Sequence, residues 1–169
     1  LASDEWTIQR GLEPILQRRA DAEVVDGLIQ HWYRLERQDR RARLAEVIMG
    51  ISSPLAEEPI IHAILDPARS SDQELRRALL ICLGSVGGPI GVSSLIDWLQ
   101  NTEIYDTGER ASLTAAIFRV RNPAGQAALA AVAQDASGRE TAKTRQAALR
   151  ALCHHPSQVT LAAIDWLTE

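Results

Sequence analysis

At 169 residues the chain has one domain's worth of sequence. Its 18 basic residues against 22 acidic ones leave a net charge of −4, which excludes a global attraction to nucleic acid or an anionic membrane. No apolar run reaches the roughly 18 residues of a membrane span, and Ala and Leu dominate without alternating Val or Ile, so sheet is not expected.

Residues 4–19 are predicted as an amphipathic helix with Ile8, Leu12, Ile15 and Leu16 on one face, kinked or interrupted by Gly11 and Pro14. Its remaining polar positions suit a terminal cap. Asp21 is placed to cap a second helix that carries Val24, Val25, Leu28, Ile29 and Trp32. Residues 34–43, RLERQDRRAR, are the most basic stretch. A phosphate or acidic-partner patch is one reading. The favoured one is a solvated loop and helix start, with Glu36 and Asp39 offsetting part of the charge. Residues 66–73, DPARSSDQ, read as an inter-repeat loop.

Residues 72–99, DQELRRALLICLGSVGGPIGVSSLIDWL, read as two helices joined by a tight turn. Asp72 is the expected N-cap, and Ser71 with Glu74 has capping-box spacing. Leu75, Leu79, Cys82, Leu83 and Val86 share one face, and the unbroken apolar run Ala78–Leu83 predicts cover on most sides. Gly84, Gly87 and Gly88 are expected to break the helix, and Pro89 to open the next. Residues 100–109 form the longest connection, with Ile104 and Tyr105 either tucked onto adjacent helices or offered to a partner. Residues 123–135 make a helix without charge, whose small residues permit close packing or leave an exposed uncharged face that would mark an interface. The last helix, about 157–168, is apolar on most sides. A terminal repeat needs a polar outer face, so this end is expected to continue into a longer chain or to dock on another subunit or domain. Cys82 and Cys153 are expected as two buried thiols, too far apart for a disulfide.

A shift of 34 residues superposes related segments: IMGISSPLAEEPIIHAIL at 48–65, CLGSVGGPIGVSSLIDWL at 82–99, AIFRVRNPAGQAALAAVA at 116–133 and RALCHHPSQVTLAAIDWL at 150–167. Each has an apolar run, a short turn, a proline (Pro54, Pro89, Pro123, Pro156) and a second apolar run. A charged pair recurs near the start of each first helix: Asp39–Arg43, Asp72–Arg76 and Asp106–Arg110, blurred to Glu140 and Arg145 in the last copy.

From residue 36 onward, with a weaker copy before it, this pattern resembles the HEAT-repeat family, including its short bacterial HEAT-like members. Tetratricopeptide repeats share the period, but their Trp, Gly, Tyr and Phe positions are not reproduced, and here the prolines fall inside the repeat. The resemblance implies an all-α fold, a right-handed α-solenoid of about five antiparallel helix pairs. Residues 1–169 would form a single HEAT-like repeat domain or a piece of a longer chain. It also implies that Asp39, Asp72, Asp106, Arg43, Arg76, Arg110 and Arg145 form a structural ladder between repeats.

The search for catalytic chemistry is mostly negative. The sequence has no HExxH, no CxxC, no Cys/His cluster of zinc spacing and no GxxxxGK[ST]. No metal or cofactor is expected. Cys153 beside His154 and His155 lacks the spacing that a nucleophile and base require. The leading expectation is a non-enzymatic scaffold that binds a peptide or partner helix on the concave surface made by second helices. Trp98, Trp166, Asp97, Asp165, His62 and Glu58 are its candidate contacts, with His31 and Tyr33 extending the surface and Tyr105 contributing from a turn. Trp32, Trp98 and Trp166 occupy related positions, and the favoured reading of the three is gap-filling between repeats, the sharper one an edge on the concave surface. The alternatives are a HEAT-like enzyme, such as a chromophore lyase or DNA glycosylase, and a structural region that positions a neighbouring domain. No signal peptide is visible, which favours the cytoplasm, while a chain beginning at Leu1 leaves export open.

Overall fold

The computed structural model describes residues 13–102, 107–135 and 140–154, with Ser70 by its backbone alone. Among these residues every regular element is a helix and none is a strand. The helices gather into two compact units, Leu1–Cys82 and Leu83–Glu169.

In the first unit, helical residues 13–19 form α1. Its inward side is set by Gln17, whose carbonyl accepts from the Ser52 amide at 2.8 Å, and by buried Ala20. Ile15, expected on the buried face, is instead 53% exposed. It lies about 200° from Gln17 round a helix that turns 100° per residue. Helix α2 (Ala22–Arg34) starts where the Asp21 carboxylate accepts from the Val24 amide at 3.1 Å. It buries Val25, Ile29 and Trp32, an i, i+4, i+7 stripe. Helix α3 (Gln38–Met49) buries Leu44, Ala45 and Ile48. Pro54 opens a 3-10 turn, Pro54–Ala56, that leads into α4 (Glu57–Leu65), and α2 packs on α4.

The segment 66–73 is not the loop that its composition suggests. Asp66 caps a four-residue helix, α5 (Pro67–Ser70), by accepting from the Ala68 amide at 2.9 Å. An Asp-Pro pair supplies both a cap and a preset first φ. Helix α2 holds α5 in place. The Tyr33 hydroxyl donates to the Arg69 carbonyl at 2.6 Å, and Asp26 pairs with the Arg69 guanidinium.

Helix α6 (Gln73–Val86) begins at Asp72, whose Oδ1 accepts from the amides of Glu74 at 3.0 Å and Leu75 at 3.1 Å. Glu74 does not complete a box with Ser71. Its carboxylate instead accepts from the Gln38 amide group at 2.7 Å. Leu75, Leu79, Cys82, Leu83 and Val86 are all buried, as is every residue from Ala78 to Leu83.

The second unit holds α7 (Pro89–Asn101), α8 (Thr107–Ile117), α9 (Pro123–Ala133) and α10 (Ala142–His154). Here α7 packs on α8 and α9, and α10 packs on α9 and α8. Pro89 and Pro123 occupy first turns, and Asn122 caps α9 through the Ala124 amide at 3.0 Å. Gly84 does not break α6, which runs on to Val86. Its role is proximity: a Cβ there would sit inside the backbone of Ala116 on α8. Gly125 plays the same part on α9, where a Cβ would come within 2.5 Å of the Gly87 carbonyl oxygen. The small residues of 123–135 therefore do serve close packing.

One device recurs through both units. Arg41 Nε donates to the Leu35 carbonyl at 2.9 Å, and Arg76 Nη1 to the Ile64 carbonyl at 2.9 Å. Arg110 Nη1 donates to the Thr102 carbonyl at 3.1 Å, and Arg145 Nη1 to the Asp135 carbonyl at 3.3 Å. Each arginine sits near the start of a first helix and reaches a carbonyl at, or just past, the end of the preceding second helix. Those carbonyls lack intrahelical donors and carry the negative end of the dipole. The four arginines are 35, 34 and 35 residues apart. The first copy is thus Arg41, not Arg43, which is exposed. Asp39 is no ladder residue either. It forms an exposed pair with Arg37, two residues away, at 3.0 Å.

Of the two thiols, Cys82 is buried and Cys153 exposed, and both are free. Helix α10 buries Thr144, Ala148, Ala151 and Leu152. Cys153 lies about 180° from Thr144 round the helix, which puts it on the solvent side and corrects the expected second buried thiol.

Candidate functional site

The candidate partner residues fall into three groups. Trp166, Asp165 and Tyr105 lie outside the described residues, as do Asp106 and the helix expected over 157–168. Glu58 and His62 are exposed one turn apart on α4, in the first unit. Asp97 is exposed and Trp98 half-buried on α7, in the second unit.

On each second helix the outward positions correspond. Helix α4 with its 3-10 turn exposes Leu55, Glu58, His62 and Leu65. Thirty-five residues on, α7 exposes Ile90, Ser93, Asp97 and Gln100, and a further 34 residues on, α9 exposes Ala124, Ala127 and Ala131. The large members are well out in solvent: Leu55 is 69% exposed, Leu65 59% and Ile90 70%. The α7 terminus beneath Asp97 and Trp98 is firmly held. The Thr102 hydroxyl donates to the Trp98 carbonyl at 2.6 Å, and the Asn101 side chain to the Asp97 carbonyl at 2.8 Å.

Trp32 and Trp98 are not equivalent. Matching the first residues of the two helices, Ala22 and Pro89, pairs Trp32 with Leu99 and Trp98 with His31. One residue of offset turns a side chain by about 100°. Trp32 is fully buried, its indole N–H donates to Asp72 Oδ2 at 3.0 Å, and the Arg41 guanidinium lies 5.9 Å from the ring centroid. Arg41 also approaches Asp72 at 3.7 Å. Burial pushes the Asp72 carboxyl pKa up, but the Trp32 indole, the two cap amides and Arg41 outweigh it, and the net shift is downward. Trp32 is thus a structural hub linking α2, α3 and α6, while Trp98 keeps an accessible edge. Tyr33, expected to extend the partner surface, spends its hydroxyl on α5.

A second feature was not legible in the sequence. A cleft of about 410 Å³ lies between α8 and α10 at the end of α7. Arg110 and Thr114 line it from α8, Phe118 from the turn just after α8, and Lys143, Thr144 and Arg150 from α10. Phe118 and Arg150 also border a neighbouring cavity with Leu149, Cys153 and His154. The Phe118 ring meets His154 edge-on, 5.2 Å between centroids. The only signal available was the i, i+4, i+8 spacing of 110, 114 and 118 and the i, i+7 spacing of 143 and 150, which no chemical motif marks. Among the described residues no group of three His, Cys, Asp or Glu side chains could hold a metal ion, and no helix is long and apolar enough to cross a membrane.

No family model matches the chain, and no curated protein matches it.

Proposed function

We propose that the chain is a HEAT-like scaffold, a right-handed solenoid of about five antiparallel helix pairs, that binds a peptide or partner helix on the surface formed by its second helices. One observation carries this reading. Among the described residues five large hydrophobic side chains are exposed: Ile15, Tyr33, Leu55, Leu65 and Ile90. All but Ile15 belong to second helices or the turn that opens one. Scattered apolar exposure is ordinary, but its concentration on one class of helix supports an interaction role for those helices. Trp98, the half-buried aromatic of that face, suits a hot spot, and Glu58, His62 and Asp97 supply polar specificity around it. The recurrence of the arginine-to-carbonyl device every 34 or 35 residues supports the repeat architecture beneath that face.

The test is affinity capture on immobilised protein, with parallel columns carrying Ile90→Asp and Ile15→Asp. Both positions are exposed, so both variants should fold. A protein retained by the parent and by Ile15→Asp, and lost on Ile90→Asp, supports the reading. Equal retention on all three columns, or equal loss on both variants, sinks it.

A further inference from the structure

We propose that the cleft between α8 and α10 binds a phosphate-bearing small molecule. This does not depend on the partner surface, because the cleft is built mainly from first helices.

Its architecture follows from the contacts around it. Gln100, at the end of α7, bonds Glu140, just before α10, and Arg110 on α8 bonds the Thr102 carbonyl at the same end of α7. The starts of α8 and α10 therefore meet at one place. Phe118 and His154, at the far ends of both helices, meet at the other. One end of the cleft thus gathers Arg110, Lys143, Thr141 and Thr144, and the other holds Arg150 and Phe118. On α10, Lys143, Ala147 and Arg150 share one face, which separates the two cations by about 10 Å along the axis and leaves a small side chain between them.

The described lining is basic, while the Glu140 carboxylate, bonded to Gln100, stands at its rim. No acidic side chain is among the described residues that line the cleft. Among the described residues, the ion pairs Arg37–Asp39, Arg41–Asp72, Arg69–Asp26 and Arg69–Asp66 use none of Arg110, Lys143 or Arg150. Three cations facing one partly enclosed space attract an anion more strongly than they would on open surface. The Thr141 and Thr144 hydroxyls share one hydrogen bond of 2.7 Å. Two hydroxyl hydrogens serve that single bond, so one O–H remains for a ligand. The start of the 13-residue helix α10 adds its positive dipole end.

This donor set fits phosphate better than carboxylate. An ammonium, a guanidinium and a hydroxyl on two helices can each take a different oxygen of a tetrahedral phosphate, whereas a carboxylate offers two oxygens in one plane. The volume of 410 Å³ lies in the range of small-molecule sites. The Phe118–Arg150 end would take the remainder of a phosphorylated ligand.

The experiment is calorimetric titration of the full chain with inorganic pyrophosphate, ionic strength held constant with NaCl. Lys143 and Arg150 are exposed, so Lys143→Gln and Arg150→Gln should keep the parent melting temperature. Lys143→Gln should weaken pyrophosphate binding by about ten-fold, the loss of one charge-assisted hydrogen bond, and Arg150→Gln, at the far end, should weaken it less. A nucleoside diphosphate arm separates the sources of phosphate. Tighter binding that reverts in Phe118→Ala supports a ligand filling both ends, and binding equal to pyrophosphate supports a phosphate site alone. A response no larger than that to sulfate, or binding unchanged in both variants, overturns the proposal. So does a Glu-rich peptide that binds more tightly than pyrophosphate, which would make the cleft a docking site for acidic segments.

Discussion

Asp72 concentrates several jobs in one carboxylate: helix cap, acceptor for the Trp32 indole and counter-charge for Arg41. Asp72→Ala strips all three and should lower stability by about 2 kcal/mol, read from denaturant unfolding. Its pKa is lower folded than unfolded. The charge therefore stabilises the fold at neutral pH, and that contribution fades as pH falls through the lowered folded value. Melting the parent and Asp72→Asn from pH 7 down to about 3 should show the gap between them narrowing with acid. Glycines give a sharper contrast. A Cβ at Gly27, exposed within α2, would meet nothing within 4 Å, so Gly27→Ala should stabilise by about 0.5–1 kcal/mol. A Cβ at Gly84 would collide with the Ala116 backbone, so Gly84→Ala should destabilise by about 2 kcal/mol or more in the same assay. The thiols differ likewise. Burial pushes the Cys82 pKa far up, while Cys153 is exposed. A thiol reagent should label Cys153 alone in the folded protein and reach Cys82 only on unfolding.

At the scale of the element, helix ends are what this chain specifies most carefully. Asp21, Asp66, Asp72 and Asn122 cap starts with side chains. Arg41, Arg76, Arg110 and Arg145 close the ends of preceding helices. A guanidinium suits the task because one group can address two carbonyls, as Arg110 does with Leu99 and Thr102. Replacing Arg76 or Arg110 with Met keeps the apolar stem and removes the donors. Each change should cost about 1 kcal/mol, whereas Arg77→Met, on the exposed side of α6, should leave unfolding within about 0.5 kcal/mol of the parent. The Asp21 and Asp72 caps and the helix-opening Pro89 and Pro123 were legible in the sequence because each acts within a few residues, whereas the Asp66 cap was hidden in a stretch that read as a loop. The first-copy arginine was not legible either, since Asp39 and Arg43 copy the i, i+4 spacing of later repeats while Arg41 is the one that donates to the Leu35 carbonyl.

For the molecule as a whole, the outward faces of α4 and α7 mix large apolar residues with Glu58, His62 and Asp97. On the scaffold reading the apolar anchors carry affinity and the charges tune it. Partner retention should then fall only partly in about 0.5 M salt, where exposed charges are screened within a few ångströms, and should vanish with Ile90→Asp in ordinary buffer.

The sequence by itself determined that the chain is helical, where most helices begin, and which stripe of α6 is buried. Periodicity, capping residues and proline are short-range signals, and tertiary packing overruled them at few places, such as Ile15, expected on a buried face and found exposed. Only the tertiary structure decided which candidate residues stay exposed and which are buried or bonded. Trp32 and Trp98 look alike in the chain, yet one residue of helical phase buries the first against Asp72 and leaves the second half-open. The same holds for Gly84, whose meaning depends on a backbone 32 residues away. The cleft of Arg110, Lys143 and Arg150 exists only because two helices separated in sequence lie side by side. No local pattern encodes that juxtaposition, because it is fixed by the packing of α7, α8 and α10 together.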